Sequence, residues 1–413
     1  MQRVVEAVRS RAGEIGLLAG LVLTAIVVTS YVHDAATGYL MDLSVFQDAG
    51  RAFREGLPLY SADFPSTSGF RFIYPPFAAV LFAPLASIGA TVLQVGWTVL
   101  NIVLVWWIVR TVLRALNVPR ATVVAIAVAG VALLLEPVRS NFAFGQINIV
   151  LVALVVADCL GVLPRRLRGV GVGLAAAIKL TPAAFGLIFL LRRDYRSVGR
   201  VVGTFAATIA LGFALLPQAS LWFWTTEFFL SDRAGNHEFV RNQAVTGMLA
   251  RVGVDGVVAD AVWLLAAAVV VAAAWWAALR FVRAGEQVAA VGVVSLAVLL
   301  GAPFAVTHHW VWCILLVPLA IAPAYRSWRP LLASAALVFW IAPYIAFVEE
   351  PNGWIDAATR QLIGNAQGLV GLVLLAAAVV AASNRPARAG AVPAVPEDAT
   401  SREEASPPAV PAS

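Results

Sequence analysis

The chain has 413 residues, 61% hydrophobic and only 13% charged, with a formal net charge of +6 and a mean hydropathy of +0.85. Soluble domains carry about 25% charged residues, so an ordinary soluble protein is excluded. A transmembrane β-barrel is excluded because the apolar runs are continuous rather than alternating. What remains is an all-α, polytopic integral membrane protein.

The positive charge does not describe a nucleic-acid footprint. The arginines lie in short clusters between apolar runs, the pattern that marks cytoplasmic loops. Lys179 is the sole lysine. Cys159 and Cys313 both fall inside apolar runs, which suits neither a disulfide framework nor a zinc site.

In chain order, the basic start leads into an apolar run at 14–33. No small-x-small cleavage site follows it, so it reads as a retained first helix. The next stretch, "MDLSVFQDAGRAFREGLPLY" (41–60), sets Leu43, Phe46, Ala49, Gly50 and Phe53 at helical spacing beside a polar face. That pattern predicts an amphipathic helix lying along the membrane interface, stopped by Gly56. Asp42 falls where an N-cap acid belongs, so capping is its bland reading. "FRFIYPPFAAVLFAPLA" (70–86) then sends Tyr74-Pro75-Pro76 into an apolar helix, with proline in the permitted first turn.

Further spans are expected at 75–89, 91–113, 120–137, 146–163, 169–191, 197–217, 258–280, 286–302, 309–323, 330–347 and 364–383. These are about 11–13 membrane segments in one domain, 1–383, with outer segments at 34–74, 219–257 and 348–363. The tail, 384–413, is rich in proline, alanine and charge, and reads as disordered and cytoplasmic. "RRDYR" (192–196), "RFVR" (280–283) and "RSWR" (326–329) belong in the cytoplasm, which puts the three outer segments on one face. "RTVLRALNVPR" (110–120) and "PRRLRG" (164–169) want the cytoplasm too. Simple alternation through 75–89 and 169–191 does not place both there. Either segment, each containing proline, could be re-entrant or broken.

Polar groups at membrane depth are the candidates for chemistry. "EPVRSNFAFGQIN" (136–148) groups Glu136, Arg139, Asn141, Gln146 and Asn148 between two spans. "AAIKLTP" (176–182) holds Lys179 in an apolar stretch, a functional-site candidate by its cost, although snorkelling to an interface would also explain it. "THHWVWC" (307–313) places His308 and His309 at the outer start of a span. Neighbours on a helix diverge by about 100°, so joint metal ligation is disfavoured and hydrogen bonding by one of them is the better reading. Trp222, Trp224, Trp310 and Trp312 read as interface anchors.

In their order along the chain, "DLSVFQDAGRAFREGLPLY", "FRFIYPPFAAVLFAPLA", "FGQINIVLVAL", "AAAIKLTP" and "THHWVW" resemble glycosyltransferase family 87, over most of 15–380. The family includes polyprenol-phosphate-mannose-dependent α-mannosyltransferases of actinobacteria. The resemblance implies a GT-C-type transmembrane bundle and an active site on the extracytoplasmic face. The family's catalytic base is an Asp at the start of the first outer loop, which falls on Asp42. An inverting transferase whose leaving group is a phosphate needs only such a base, where a glycosidase needs two carboxyl groups. Lys179, His308, His309 and Arg139 are candidates to meet the leaving phosphate. Gln146 and Asn148 are candidates for sugar hydroxyls, and Tyr74 is a further substrate-binding candidate.

The implied partners are a polyprenyl-phosphate sugar donor, a glycolipid or polysaccharide acceptor and membrane lipids. No cofactor, metal or nucleic acid is expected. The implied product is an α-(1→2) mannoside, formed with inversion. Two rival readings are an arabinofuranosyltransferase using decaprenyl-phosphate arabinose and, from another class, a transporter or flippase of polyprenyl-linked sugars. The latter would suit broken helices near Gly171-Gly173 and Pro182.

Overall fold

The computed structural model describes residues 2–230, 235–346 and 353–385. Among them the regular structure is helical, with one isolated antiparallel bridge between Asn242 and Val306. The expected disordered tail, beyond Arg385, and part of the 348–363 segment lie outside the described residues.

The first helix, α1 (Gln2–Thr37), leads into α2 (Met41–Glu55), which ends at Gly56 in the left-handed conformation, φ 69°. After an irregular stretch come α3 (Pro76–Phe82) with a 3₁₀ turn at 83–87, α4 (Ala90–Ala115), α5 (Ala121–Leu134) and α6 (Glu136–Phe144). Next are α7 (Asn148–Cys159), α8 (Val170–Ile178), a 3₁₀ stretch (Thr181–Phe185) and α9 (Gly186–Leu191). They are followed by α10 (Tyr195–Leu215), α11 (Pro217–Thr225), α12 (Val245–Arg251), α13 (Gly256–Ala284) and α14 (Gln287–Gly301). A long 3₁₀ stretch (Thr307–Leu315), α15 (Leu316–Ile321), α16 (Arg329–Ile341), α17 (Trp354–Gly364) and α18 (Ala366–Ser383) complete the bundle.

Five described helices are long and apolar enough to cross a bilayer: residues Gly13–Thr37 of α1, then α4, α10, α13 and α18. Two sharply bent pairs raise the number to seven if each counts as one span: α5 with α6, at 78°, and residues 307–321 with 323–341, at 108°. The apolar segments expected near 75–89, 146–163 and 286–302 appear as shorter helices. α1 and α13 leave Leu18, Val22, Leu264, Leu265 and Val269 exposed, as a helix facing hydrocarbon must. The packed centre is α4, α7 and α8, where Ile108, Val109, Val112, Ile149, Val155 and Val172 are wholly buried.

Two segments that the basic clusters left in conflict are resolved by contacts. Arg192 donates to the Cys159 carbonyl at 2.9 Å and the Gly169 N–H to Asp158 Oδ1 at 2.7 Å, so both ends of residues 170–191 meet the same end of α7. Lys179, between them, donates to Asn148 at the opposite end of α7, at 3.0 Å, about 18 Å away along a 12-residue helix. Residues 170–191 are therefore re-entrant, turning near Lys179. The backbone there is extended (φ −147°, ψ 126°), and Pro182 has no N–H with which to continue α8.

Residues 75–89 do not cross either. Gln47 of α2 donates to the Leu85 and Ile88 carbonyls at 3.1 and 2.7 Å, and Gln94 at the start of α4 accepts from the Leu40 N–H at 2.8 Å. With both segments removed from the alternation, 110–120, 164–169 and 192–196 share one end of the bundle.

Candidate active site

The opposite end is built around the start of α2. That helix presses so closely on α3 that a Cβ at Gly50 would lie 2.3 Å from the Phe82 carbonyl oxygen. Leu43, Phe46, Ala49 and Ala52 form its buried face, and Phe46 stacks on Phe82 with ring centroids 4.7 Å apart. Asp48 is buried but belongs to the scaffold. It accepts from Arg51 at 2.9 Å and from the Thr67 backbone and hydroxyl at 2.7 and 2.8 Å, tying the following loop to the helix.

Asp42 is not an N-cap. Leu40 occupies that position, with no capping side-chain bond, and Asp42 is the second residue of the helix. Its carboxylate Oδ2 instead accepts from Gln146 Nε2 at 2.7 Å. Gln146 is aimed there by a left-handed turn at Gly145 (φ 70°) between α6 and α7. That turn sits so tightly on α2 that a Cβ would meet Leu43 and Leu40 at 2.7 and 2.9 Å.

Tyr74 completes the support by donating to Gln146 Oε1 at 3.2 Å. Burial pushes its phenol far above the usual range, so the hydroxyl remains a donor and fixes the orientation of the Gln146 amide. Burial also pushes the Asp42 carboxyl up to about 6, against the opposing pull of the Gln146 hydrogen bond and the Lys179 charge.

The network continues from Gln146 inward. Asn148, the first residue of α7, donates to the His308 carbonyl at 3.2 Å and accepts from Lys179 Nζ at 3.0 Å. Lys179 Nζ also meets His309 Nε2 at 2.8 Å and lies 5.8 Å from the Tyr74 ring centroid. His308 lies edge-on to Phe144 at 5.7 Å, and its Nδ1 is buried without a hydrogen-bond partner among the described residues. The structure thus brings Asp42, Tyr74, Gln146, Asn148, Lys179, His308 and His309 together. Arg139 is not part of this network, since its guanidinium donates to the Trp340 carbonyl at 3.1 Å.

A second arginine packs on Phe144, the ring that His308 meets edge-on. Arg241 lies over the Phe144 and Tyr344 rings, at 5.6 and 5.8 Å, with its Nη1 3.6 Å from Glu136 Oε1. Glu136 is buried and also accepts from Tyr344 and, at 3.0 Å, from Gln367. Sequence reading left 219–257 unassigned. The available signal was an arginine in a segment expected on the outer face, where basic residues are disfavoured. No group of three or more metal-ligating side chains occurs among the described residues.

A sunken carboxylate, the amide that steadies it and a lysine–imidazole pair joined to them through Asn148 can together take a proton and receive an anion. The chain belongs to glycosyltransferase family 87, whose sequence model matches residues 72–307, and it is a membrane glycosyltransferase. It is 36% identical to a protein of Mycobacterium tuberculosis over 76% of each chain. That relative is named a polyprenol-phosphate-mannose-dependent alpha-(1-2)-phosphatidylinositol mannoside mannosyltransferase. It is 35% identical to a protein of the same name from Mycolicibacterium smegmatis, over 79% of this chain and 80% of the relative. A third relative, also from M. smegmatis, is named for phosphatidylinositol pentamannoside and is 32% identical over 71% of each chain. No solved structure matches the chain.

Proposed function

We propose that the protein transfers mannose from polyprenyl-phosphate mannose to a phosphatidylinositol-mannoside acceptor, forming an α-(1→2) linkage with inversion on the extracytoplasmic face. The carrying observation is the continuous set of contacts Asp42–Gln146–Asn148–Lys179–His309, which joins a base to a cation through two side-chain amides. The named relatives support mannose over arabinose, and family membership supports a transferase over a flippase. The orientation is supported by the arginine clusters at the far end of α7 and α8. The product would enter the lipoglycans of the cell envelope.

In the proposed step, the acceptor hydroxyl oxygen attacks the anomeric carbon of the donor. Its proton passes to the Asp42 carboxylate as the new C–O bond forms. The old bond to phosphate breaks with its electron pair on the phosphate oxygen, so the leaving polyprenyl phosphate gains one negative charge. Lys179 faces that growing charge, and Arg241 stands beyond His308 and Phe144 as a second cation. His308 Nδ1, buried and without a partner among the described residues, would meet a sugar hydroxyl.

Purified wild type and Asp42→Asn, each offered polyprenyl-phosphate mannose with a phosphatidylinositol mannoside, test the reading. Wild type should form mannoside, while the variant should bind donor but not turn over. Equal product from both would remove Asp42 as the base, and transfer only from an arabinose donor would overturn the substrate.

A further inference from the structure

The stretch 235–244, which carries Arg241, has no helix or strand of its own beyond the bridge from Asn242 to Val306. A buried cation holds it. Arg251, the last residue of α12, donates from Nη1 to the Phe239 carbonyl at 3.1 Å and from Nη2 to the Asn242 carbonyl at 2.8 Å. Those two oxygens lie on either side of Arg241 in the chain. The same guanidinium donates from Nε to Asn365 Oδ1 at 2.8 Å, at the junction of α17 and α18, and Gln361 donates back to the Arg251 carbonyl at 2.7 Å. None of these acceptors is a carboxylate. Burial lowers the guanidinium pKa only to about 10, so Arg251 is charged at neutral pH.

We propose that Arg251 is a positioning residue: by gripping the backbone on both sides of Arg241, it sets where the Arg241 guanidinium stands. The inference rests on the role proposed above for Arg241, as a second cation toward the leaving phosphate, and names what holds that cation in place. A buried charge with no counter-ion is costly, and what this position uses is the planar fork, which reaches acceptors in several directions. Asn242, fixed by that grip, accepts on Oδ1 from the Ala305 N–H at 3.1 Å, and the Gln243 N–H donates to the Ala305 carbonyl at 2.9 Å. The loop is thereby set in register with the stretch that leads into His308 and His309. Arg241 itself is 34% exposed, touching Ser140 Oγ at 3.3 Å and the Phe144 and Tyr344 rings. A long side chain on an irregular loop keeps one place only if its backbone does, and a displacement of about 1 Å can cost about 100-fold in rate.

Arg251→Lys and Arg241→Gln, alone and combined, test the coupling. Lysine keeps the charge, but its single nitrogen cannot reach all the oxygens that Nε, Nη1 and Nη2 reach. The readouts on purified protein are kcat/KM for mannose transfer and, with no sugar present, the Kd for polyprenyl phosphate; Tm checks that each variant is folded. Each single variant should lose on the order of tenfold in both readouts. In the double variant Arg251→Lys should add no further loss, because the cation it positions is already gone. Losses that multiply in the double variant would make Arg251 a support of the fold alone and overturn the proposal, as would an Arg251→Lys protein equal to wild type.

Asn365→Ala carries the same test if Arg251→Lys does not fold. It leaves Arg251 in place and removes the side-chain oxygen that Nε and Nη2 share. Its loss, on the order of threefold, should likewise vanish in the Arg241→Gln background. A loss that persists there, or none in either background, overturns the proposal. Coupled losses of polyprenyl phosphate affinity in a protein that transfers mannose from no donor leave Arg251 in its positioning role and remove the proposed function.

Discussion

Gln146→Leu should shift the acidic limb of the transfer rate upward by about one pH unit. Only ionised Asp42 can accept the acceptor proton, and its carboxyl is held at about 6 by burial working against the Gln146 hydrogen bond and the Lys179 charge. The 2.7 Å bond from Gln146 favours the charged form, so its loss must raise the pKa. A hydrogen bond to a charged group contributes about 1.5–3 kcal/mol, and one pKa unit is about 1.36 kcal/mol. Water entering the vacated space restores part of that, which leaves about one unit.

At about pH 6 the ionised fraction would then fall from about one half to about one tenth, while at about pH 8 it would barely change. The assay is mannose transfer from polyprenyl-phosphate mannose in membrane vesicles, with kcat followed across the pH range for wild type and variant. A uniform loss at every pH, or a rise in KM with the limb unmoved, would refute the reasoning. Gln146 would then be a sugar contact and not the partner that tunes Asp42.

Lys179→Met should lower kcat by about 10²–10³-fold, the usual cost of removing one charge-stabilising group. Lys179→Arg should recover part of it, and near-wild-type turnover in the Met variant would exclude the phosphate role. Gly50→Ala should cost about 1–3 kcal/mol of stability and reduce transfer as well, because the added methyl pushes α2 off the Phe82 carbonyl; thermal unfolding in detergent and the same transfer assay read both. Asp158→Ala removes a buried carboxylate that accepts from the Gly169 and Val172 N–H groups at 2.7 and 2.9 Å. Orphaning those donors should cost on the order of 2–4 kcal/mol without changing the turnover of the folded fraction, and an unchanged Tm would contradict this account of how α8 begins.

The sequence by itself determined the class of the molecule and several of its parts. Uninterrupted apolar runs can only be helices where no water satisfies the backbone, so α4, α10, α13 and α18 were legible in the hydropathy alone. The α2 face was equally plain, because Leu43, Phe46 and Ala49 recur at the helical period. Polar groups at membrane depth are expensive enough to stand out, which is why Gln146, Asn148 and Lys179 could be picked before any contact was known.

Tertiary structure alone decided the rest. Whether Asp42 caps its own helix or faces Gln146 depends on a turn at Gly145, a hundred residues away, and no local pattern encodes that meeting. Hydropathy reports whether a segment prefers lipid but not whether it turns back, so the re-entrant course of 170–191 emerged only when Arg192 met Cys159 and Lys179 met Asn148. That Arg139 reaches the Trp340 carbonyl while Arg241 packs over Phe144 has the same origin. An arginine's charge is written in the chain, but which side chains surround it is set by packing between segments far apart in sequence.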